Sequence, residues 1–308
     1  LISITFLVRC IVKKDWSWSS QLWFKCAVAL WLFGLVSAIT GPDPLFTFQQ
    51  GFVWIRFPLY AAAAQAWLAK DRDIRIIMFL SILVGMLIMC SILIAETIIE
   101  PKNRLSWPYG DLVPGGYIAK VSLPVFCVLM DIAVSKQSKA GLFSGIIGFL
   151  SIIVSILTGE RTHFLIRACG GMFAALVWKP KFKLYAVLIL VEILAVIAVF
   201  LIRPDLGTNF TKQFVKQIPI VNTDTGYWGS WRGGIQQGLM TPIKGIGPSG
   251  TRNTCANLDT NIPSWLPGKN NCGNHPHNFY VQLFAEVGII GLILGSIMFV
   301  SITVSCFK

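Results

Sequence analysis

Residues 275–307 read His275-Pro-His-Asn278 followed by FYVQLFAEVGIIGLILGSIMFVSITVSCF, so a polar loop hands over abruptly to a long apolar run. A helix needs about 20 consecutive apolar residues to cross the hydrocarbon layer, and this run exceeds that length. Two of the chain's three histidines stand at the handover. A neutral imidazole accepts or relays a proton near neutral pH, so the position suits chemistry at a membrane surface.

The rest of the chain repeats the apolar pattern. It is 55% hydrophobic and 13% charged over 308 residues, which excludes an ordinary soluble domain. Apolar runs over 1–12, 22–40, 52–69, 74–97, 117–134, 141–157, 163–178, 184–202 and 279–307 predict an all-α polytopic membrane protein, a multispan helical bundle. Residues 1–202 form a transmembrane region of eight spans, 203–276 a large loop or lid, and 279–307 a ninth span. The first run is short and the chain does not start with Met, so the sequence is expected to be incomplete at both ends.

Charge sets the orientation. Lys13 and Lys14, Lys70, Arg72 and Arg75, Lys136 and Lys139, and Lys179, Lys181 and Lys183 follow the odd-numbered spans. The positive-inside rule puts these exits in the cytoplasm and the loop 203–276, with the turn at Gly159, outside. The net charge of +12 is largely this orientation signal, so nucleic acid is not the expected partner. In the outer loop Arg203, Lys212, Lys216, Arg232, Lys244, Arg252 and Lys269 outnumber Asp205, Asp224 and Asp259, a surface that attracts anionic lipid headgroups or a diphosphate.

Within that loop Cys255 and Cys272 are candidates for a disulfide if the compartment is oxidising; the alternative is two free thiols. The other cysteines sit in apolar segments, and no four-ligand arrangement for a metal is visible. Tyr227, Trp228 and Trp231 either anchor at the headgroup layer or stack on sugar faces. Residues 232–240 predict a short helix ended by Pro242 and Gly245, and Gly245-Ile-Gly247 permits a tight path that brings backbone close to a ligand. Arg232 offers a guanidinium fork to phosphate oxygens, or else makes a lipid contact or loop salt bridge. Arg161, in Thr158-Gly-Glu-Arg-Thr-His-Phe-Leu165, is either neutralised by Glu160 or binds phosphate at the lip of a cavity, and Arg167 lines the same cavity or pairs with a carboxylate.

At the handover, Pro276 restricts the backbone and Asn278 suits the start of a helix. Gln282 and Glu286 lie four residues apart on one helix face, and Glu286 inside a membrane span needs a polar cavity or a partner. Gly288 and Gly291 predict close helix packing. His277 is the candidate for chemistry, with His275 as a hydrogen-bonding neighbour and His163 as a packing or interface residue.

In this order the motifs resemble the O-antigen ligase and polymerase superfamily of bacterial envelope glycosyltransferases. Arg161-Thr-His-Phe-Leu165 matches its arginine, three-residue gap and leucine; His277-Asn278, nine residues and Gly288-Ile-Ile-Gly291 match its histidine and paired glycines. Arg232 with Thr241-Pro-Ile-Lys-Gly-Ile-Gly247 resembles the arginine and Pro-Leu-Phe-Gly-x-Gly region between them. The resemblance is most specific over 141–304. It implies the fold of a metal-independent lipid-linked glycan transferase in the bacterial inner membrane, with no cofactor and an active site facing the periplasm.

By the same resemblance, Arg161 and Arg232 hold the diphosphate of a polyprenyl-linked glycan donor; Arg167 and Trp231 are further substrate-binding candidates from their own position and chemistry. His277 orients or deprotonates the acceptor hydroxyl. Asn278, Gln282, Glu286, Gly245 and Gly247 support them. Transfer of O-antigen to a lipid A-core sugar is the expected reaction. The alternatives are polymerisation of carrier-linked repeats, protein O-glycosylation and, in a different class, a lipid or polysaccharide transporter. Typical family ligases have twelve spans, which implies one span missing before residue 1 and two after residue 308.

Overall fold

A computed structural model describes residues 1–100, 105–110, 113–136, 140–158, 226–254 and 275–306, with isolated helical positions between 166 and 208. The described residues are helical, without β-strands. In chain order the helices are α1 (Ile2–Lys13), α2 (Leu22–Ile39), α3 (Pro44–Val53), α4 (Arg56–Ala63), α5 (Arg72–Ile99), α6 (Val113–Lys136), α7 (Ala140–Thr158), α8 (Gly226–Met240), α9 (Thr251–Thr254) and α10 (Phe279–Cys306). Three of them, α2, α5 and α10, are long and apolar enough to cross a membrane. The expected spans at 163–178 and 184–202 fall largely outside the described residues.

The chain divides into two compact units, residues 1–72 with 216–308, and residues 73–215. The second unit is built on a core of stripes. Leu83, Met86, Cys90 and Leu93 of α5 recur at helical spacing and meet Ile118, Val125 and Leu129 of α6 and Ile147 and Val154 of α7. Glu96, near the end of α5, is buried and accepts from the backbone N–H groups of Ser106 (2.9 Å) and Trp107 (2.8 Å). It thereby ties the turn after α5 to the helix.

The first unit contains α1 to α4 and α8 to α10. Around Phe6, Trp18 and Phe24 an aromatic cluster joins α1 to α2, with Trp18 and Phe24 edge to face at 4.7 Å. A single span over 52–69 is replaced by a break at Trp54 and Ile55, between α3 and α4. Pro58 supplies the reason: it has no N–H to donate to the Trp54 carbonyl four residues back, and a position in the first turn of a new helix accommodates that loss. Phe57 N–H bonds the Trp54 carbonyl instead, at 3.0 Å. Upstream, Asp43 caps α3 by accepting from Phe46 N–H, and Pro44 occupies its first position.

Candidate active site

The first unit gathers most of the described candidate residues around one irregularity in α10. Gly288 has φ 69° and ψ −166° and interrupts the helix. An interruption inside a membrane-spanning helix leaves backbone groups that must find other partners, because hydrocarbon offers none. The turn after α8 supplies them. Ile246 N–H donates to the Ala285 carbonyl (3.0 Å), Gly247 N–H to the Glu286 carbonyl (2.9 Å), and Ile289 N–H to the Pro242 carbonyl (2.8 Å). Ser37 Oγ of α2 donates to the Glu286 carbonyl as well, at 2.9 Å.

This docking explains the glycines. Gly245 and Gly247 have φ of 71° and 92°, which L side chains rarely adopt. A Cβ at Gly245 would strike the backbone of Glu286 and Val287, and one at Gly247 would lie 2.9 Å from Thr47 Cβ. Gly288 likewise admits the backbone of Ile243 and Lys244. Sequence reasoning assigned Gly288 to helix–helix packing; its place is instead under a docked turn, at a left-handed backbone position.

Helix α8 starts at Gly226, six residues before the expected start at 232, and ends at Met240 as Pro242 requires. It lies on α10 through Gly234 and Gly238, one helical turn apart. A Cβ on Gly234 would come within 2.8 Å of Pro276 Cγ and 2.7 Å of Val281 Cγ1, and one on Gly238 would strike the Phe284 ring. Close contact therefore fixes the helix that carries Arg232 to the helix that follows His277.

Arg232 is 5% exposed, and its Nε and Nη1 have no hydrogen-bond partner among the described residues. A guanidinium buried with open donors is costly, and such groups in a folded protein point to an acceptor that arrives from outside. Next to it, Trp231 Nε1 is also buried and unpartnered, and the Trp231 ring meets Trp228 edge to face at 6.2 Å.

At the head of α10, Asn278 Oδ1 accepts from the N–H groups of Tyr280 (3.0 Å) and Val281 (3.2 Å). His277 stands just before this cap, exposed, with φ 54°. A non-glycine residue held in the left-handed region stores strain, and such positions cluster at functional sites. Its N–H donates to His275 Nδ1 at 3.1 Å, and the two rings lie 4.1 Å apart. Partial burial, and then repulsion from His275, lower the His277 pKa from its ordinary 6.5. Both effects keep the ring neutral, the form that accepts a proton.

Glu286 is fully buried, two turns into α10. Its Oε1 accepts from Gln282 Nε2 (3.1 Å) and Thr251 Oγ1 (3.4 Å), the Ser249 backbone N–H also faces the carboxylate, and Oε2 makes no hydrogen bond among the described residues. Sequence reasoning found the Gln282 pair from its spacing. It missed Thr251, Gln237 and Ser37, which carry no local signal because they meet Glu286 or its partners only through the fold.

Residues 146–295 match the O-antigen ligase family model. The matched region includes α8, the docked turn and His277, and it runs through the kink of α10. No curated protein and no solved structure matches the chain. Within the matched region Arg161, Arg167, His163, Cys255 and Cys272 lie outside the described residues. Among the described residues no group of three or more His, Cys, Asp or Glu is placed to hold a metal ion.

Proposed function

We propose that the protein transfers a glycan from a polyprenyl diphosphate carrier to a sugar hydroxyl of lipid A-core, at the periplasmic face of the bacterial inner membrane. The observation that carries this reading is the buried, open guanidinium of Arg232 within the region that matches the O-antigen ligase family. A diphosphate has the charge and the oxygen spacing to engage such a fork. Arg161 is the second cation of the clamp in this reading, with Arg167 at the same lip and the Trp231 indole N–H offered to the sugar or phosphate.

The reaction is written as a displacement. The acceptor hydroxyl oxygen attacks the anomeric carbon while His277 takes its proton, and the carbon–oxygen bond to the diphosphate breaks. The electron pair leaves with the diphosphate, where Arg232 and Arg161 stabilise the developing charge. The product is a glycosidic bond, inverted at the anomeric carbon, together with free polyprenyl diphosphate.

A lipid-linked substrate also fits the surroundings. An apolar cavity of about 440 Å³ opens between α2, α4 and α10, lined by Trp31, Trp54, Phe57, Phe279, Leu283 and Phe299 among others. It starts beside the first turn of α10, two residues from His277, and hydrocarbon suits its walls. The test is reconstitution of the intact protein with carrier-linked glycan and either lipid A-core or a second carrier-linked glycan. Covalent glycan on lipid A-core supports the reading; a lengthened carrier-linked chain makes the protein a polymerase, and movement of lipid without a new bond makes it a transporter.

A further inference from the structure

We infer that Glu286 is a positioning residue, the joint that fixes the Arg232 helix to the His277 helix. Three hydrogen-bonded steps connect the two. Gln237 of α8 donates through Nε2 to the Thr251 carbonyl (3.4 Å) and to Thr254 Oγ1 (3.3 Å). Thr251 Oγ1 then donates to Glu286 Oε1, and Gln282, one turn nearer His277, donates to the same oxygen. The bonds are individually long, but every residue between the helices is held by at least one of them. The Glu286 backbone is committed too, since its carbonyl receives Ser37 Oγ and Gly247 N–H. Helices α2, α8, α9 and α10 and the docked turn therefore converge on one residue inside a membrane-spanning segment.

An acidic side chain in that position is expensive unless it performs a task, and a satisfied structural carboxylate would use both oxygens. Glu286 uses one. Gln237 sits five residues after Arg232 in the same α-helix, so a fixed Gln237 fixes the axial position and rotation of Arg232. Gln282 sits in the first turn and a half of α10, directly behind the Asn278 cap and His277. Loss of the shared acceptor leaves the packing at Gly234 and Gly238 in place but releases Thr251 and Gln282, so the rotation and axial position of the two helix ends are held less tightly. Misplacement of about 1 Å between groups that must act together can cost about 100-fold in rate without removing either group.

The inference rests on the proposed roles of Arg232 and His277, and the test separates the two. Steady-state transfer from polyprenyl diphosphate-linked glycan to lipid A-core is measured with the intact protein in liposomes, for Glu286→Leu, Glu286→Gln, Thr251→Val, Arg232→Ala and His277→Ala. Glu286→Leu and Thr251→Val are expected to lower kcat about 10- to 100-fold, with donor KM within about threefold and only a small fall in the thermal unfolding midpoint, since the stranded donors are side chains that can reorient. Glu286→Gln is expected to stay within about threefold of the parent rate, because an amide oxygen replaces Oε1 and the amide nitrogen falls where Oε2 makes no bond.

A Gln variant as impaired as the Leu variant would mean that the charge matters, and would overturn the positioning role. So would parent-like kcat in both Glu286→Leu and Thr251→Val, or a loss confined to protein yield. If Glu286→Leu does not fold, Thr251→Val and Gln282→Leu decide by the same criteria. Retained turnover in both Arg232→Ala and His277→Ala would overturn the site reading itself, whereas loss there with normal Glu286→Leu and Thr251→Val would overturn only the joint.

Discussion

Among the described residues two carboxylates are buried completely in helices long and apolar enough to span a membrane, Glu96 in α5 and Glu286 in α10, and they are treated differently. Glu96 accepts with both oxygens from the N–H groups of Ser106 and Trp107, four backbone and hydroxyl contacts that close the turn after α5. Glu286 accepts through Oε1 from two side chains on different helices, with the Ser249 N–H also facing the carboxylate, and Oε2 makes no hydrogen bond among the described residues. A buried charge that is fully satisfied by local backbone is a structural cap. Glu286 is tied instead to side chains of α9 and α10, in the unit that also carries the open donors of Arg232 and Trp231.

Exchange of each carboxylate for leucine sharpens the contrast most. Glu96→Leu strands the N–H groups of Ser106 and Trp107, at about 1–3 kcal/mol for each buried group. A large drop in the thermal unfolding midpoint is expected, with ordinary kcat in the protein that remains folded. Glu286→Leu should give the reverse pattern, a fall in kcat with little change in midpoint. Equal thermal losses in the two variants would erase the distinction.

The next effect concerns the turn that rests on the α10 kink. Gly245→Ala puts a Cβ into the Glu286 backbone at a φ of 71°, which costs about 1–2 kcal/mol for the left-handed conformation before any steric shift. Faster amide hydrogen exchange at Ile246, Gly247 and Ile289 is expected, since those N–H groups make the docking bonds. Unchanged exchange there would mean that the turn is held by other contacts.

The smallest effect is a displacement along the pH axis. His277 must be neutral to accept a proton, so the rate should rise with pH through its pKa, which burial and His275 hold below 6.5. His275→Ala removes the repulsion and leaves the burial, so the acid limb of the kcat/KM profile should move toward higher pH. A limb that stays or moves lower would exclude His277 as the titrating base.

Much of this was readable from the chain. Hydropathy located α2, α5 and α10, the Asn278 cap followed from its residue type before an apolar run, and the Gln282–Glu286 pair followed from a four-residue spacing. All of these are local properties, fixed within a few residues of sequence. The kink was not readable, because a glycine that packs a helix and a glycine that breaks one look alike until another backbone arrives. Ser37 and the Glu286 carbonyl it reaches are 249 positions apart. The break before Pro58 was available locally, but the apolar composition of 52–69 masked it.

In the proposed reaction the open guanidinium of Arg232 receives the donor diphosphate. Binding of polyprenyl diphosphate to the intact protein in nanodiscs, compared among the parent, Arg232→Ala and His277→Ala, tests it most directly. Arg232→Ala is expected to weaken binding at least about tenfold, which corresponds to about 1.4 kcal/mol, while His277→Ala binds like the parent and forms no product. Parent-like affinity in Arg232→Ala would contradict it.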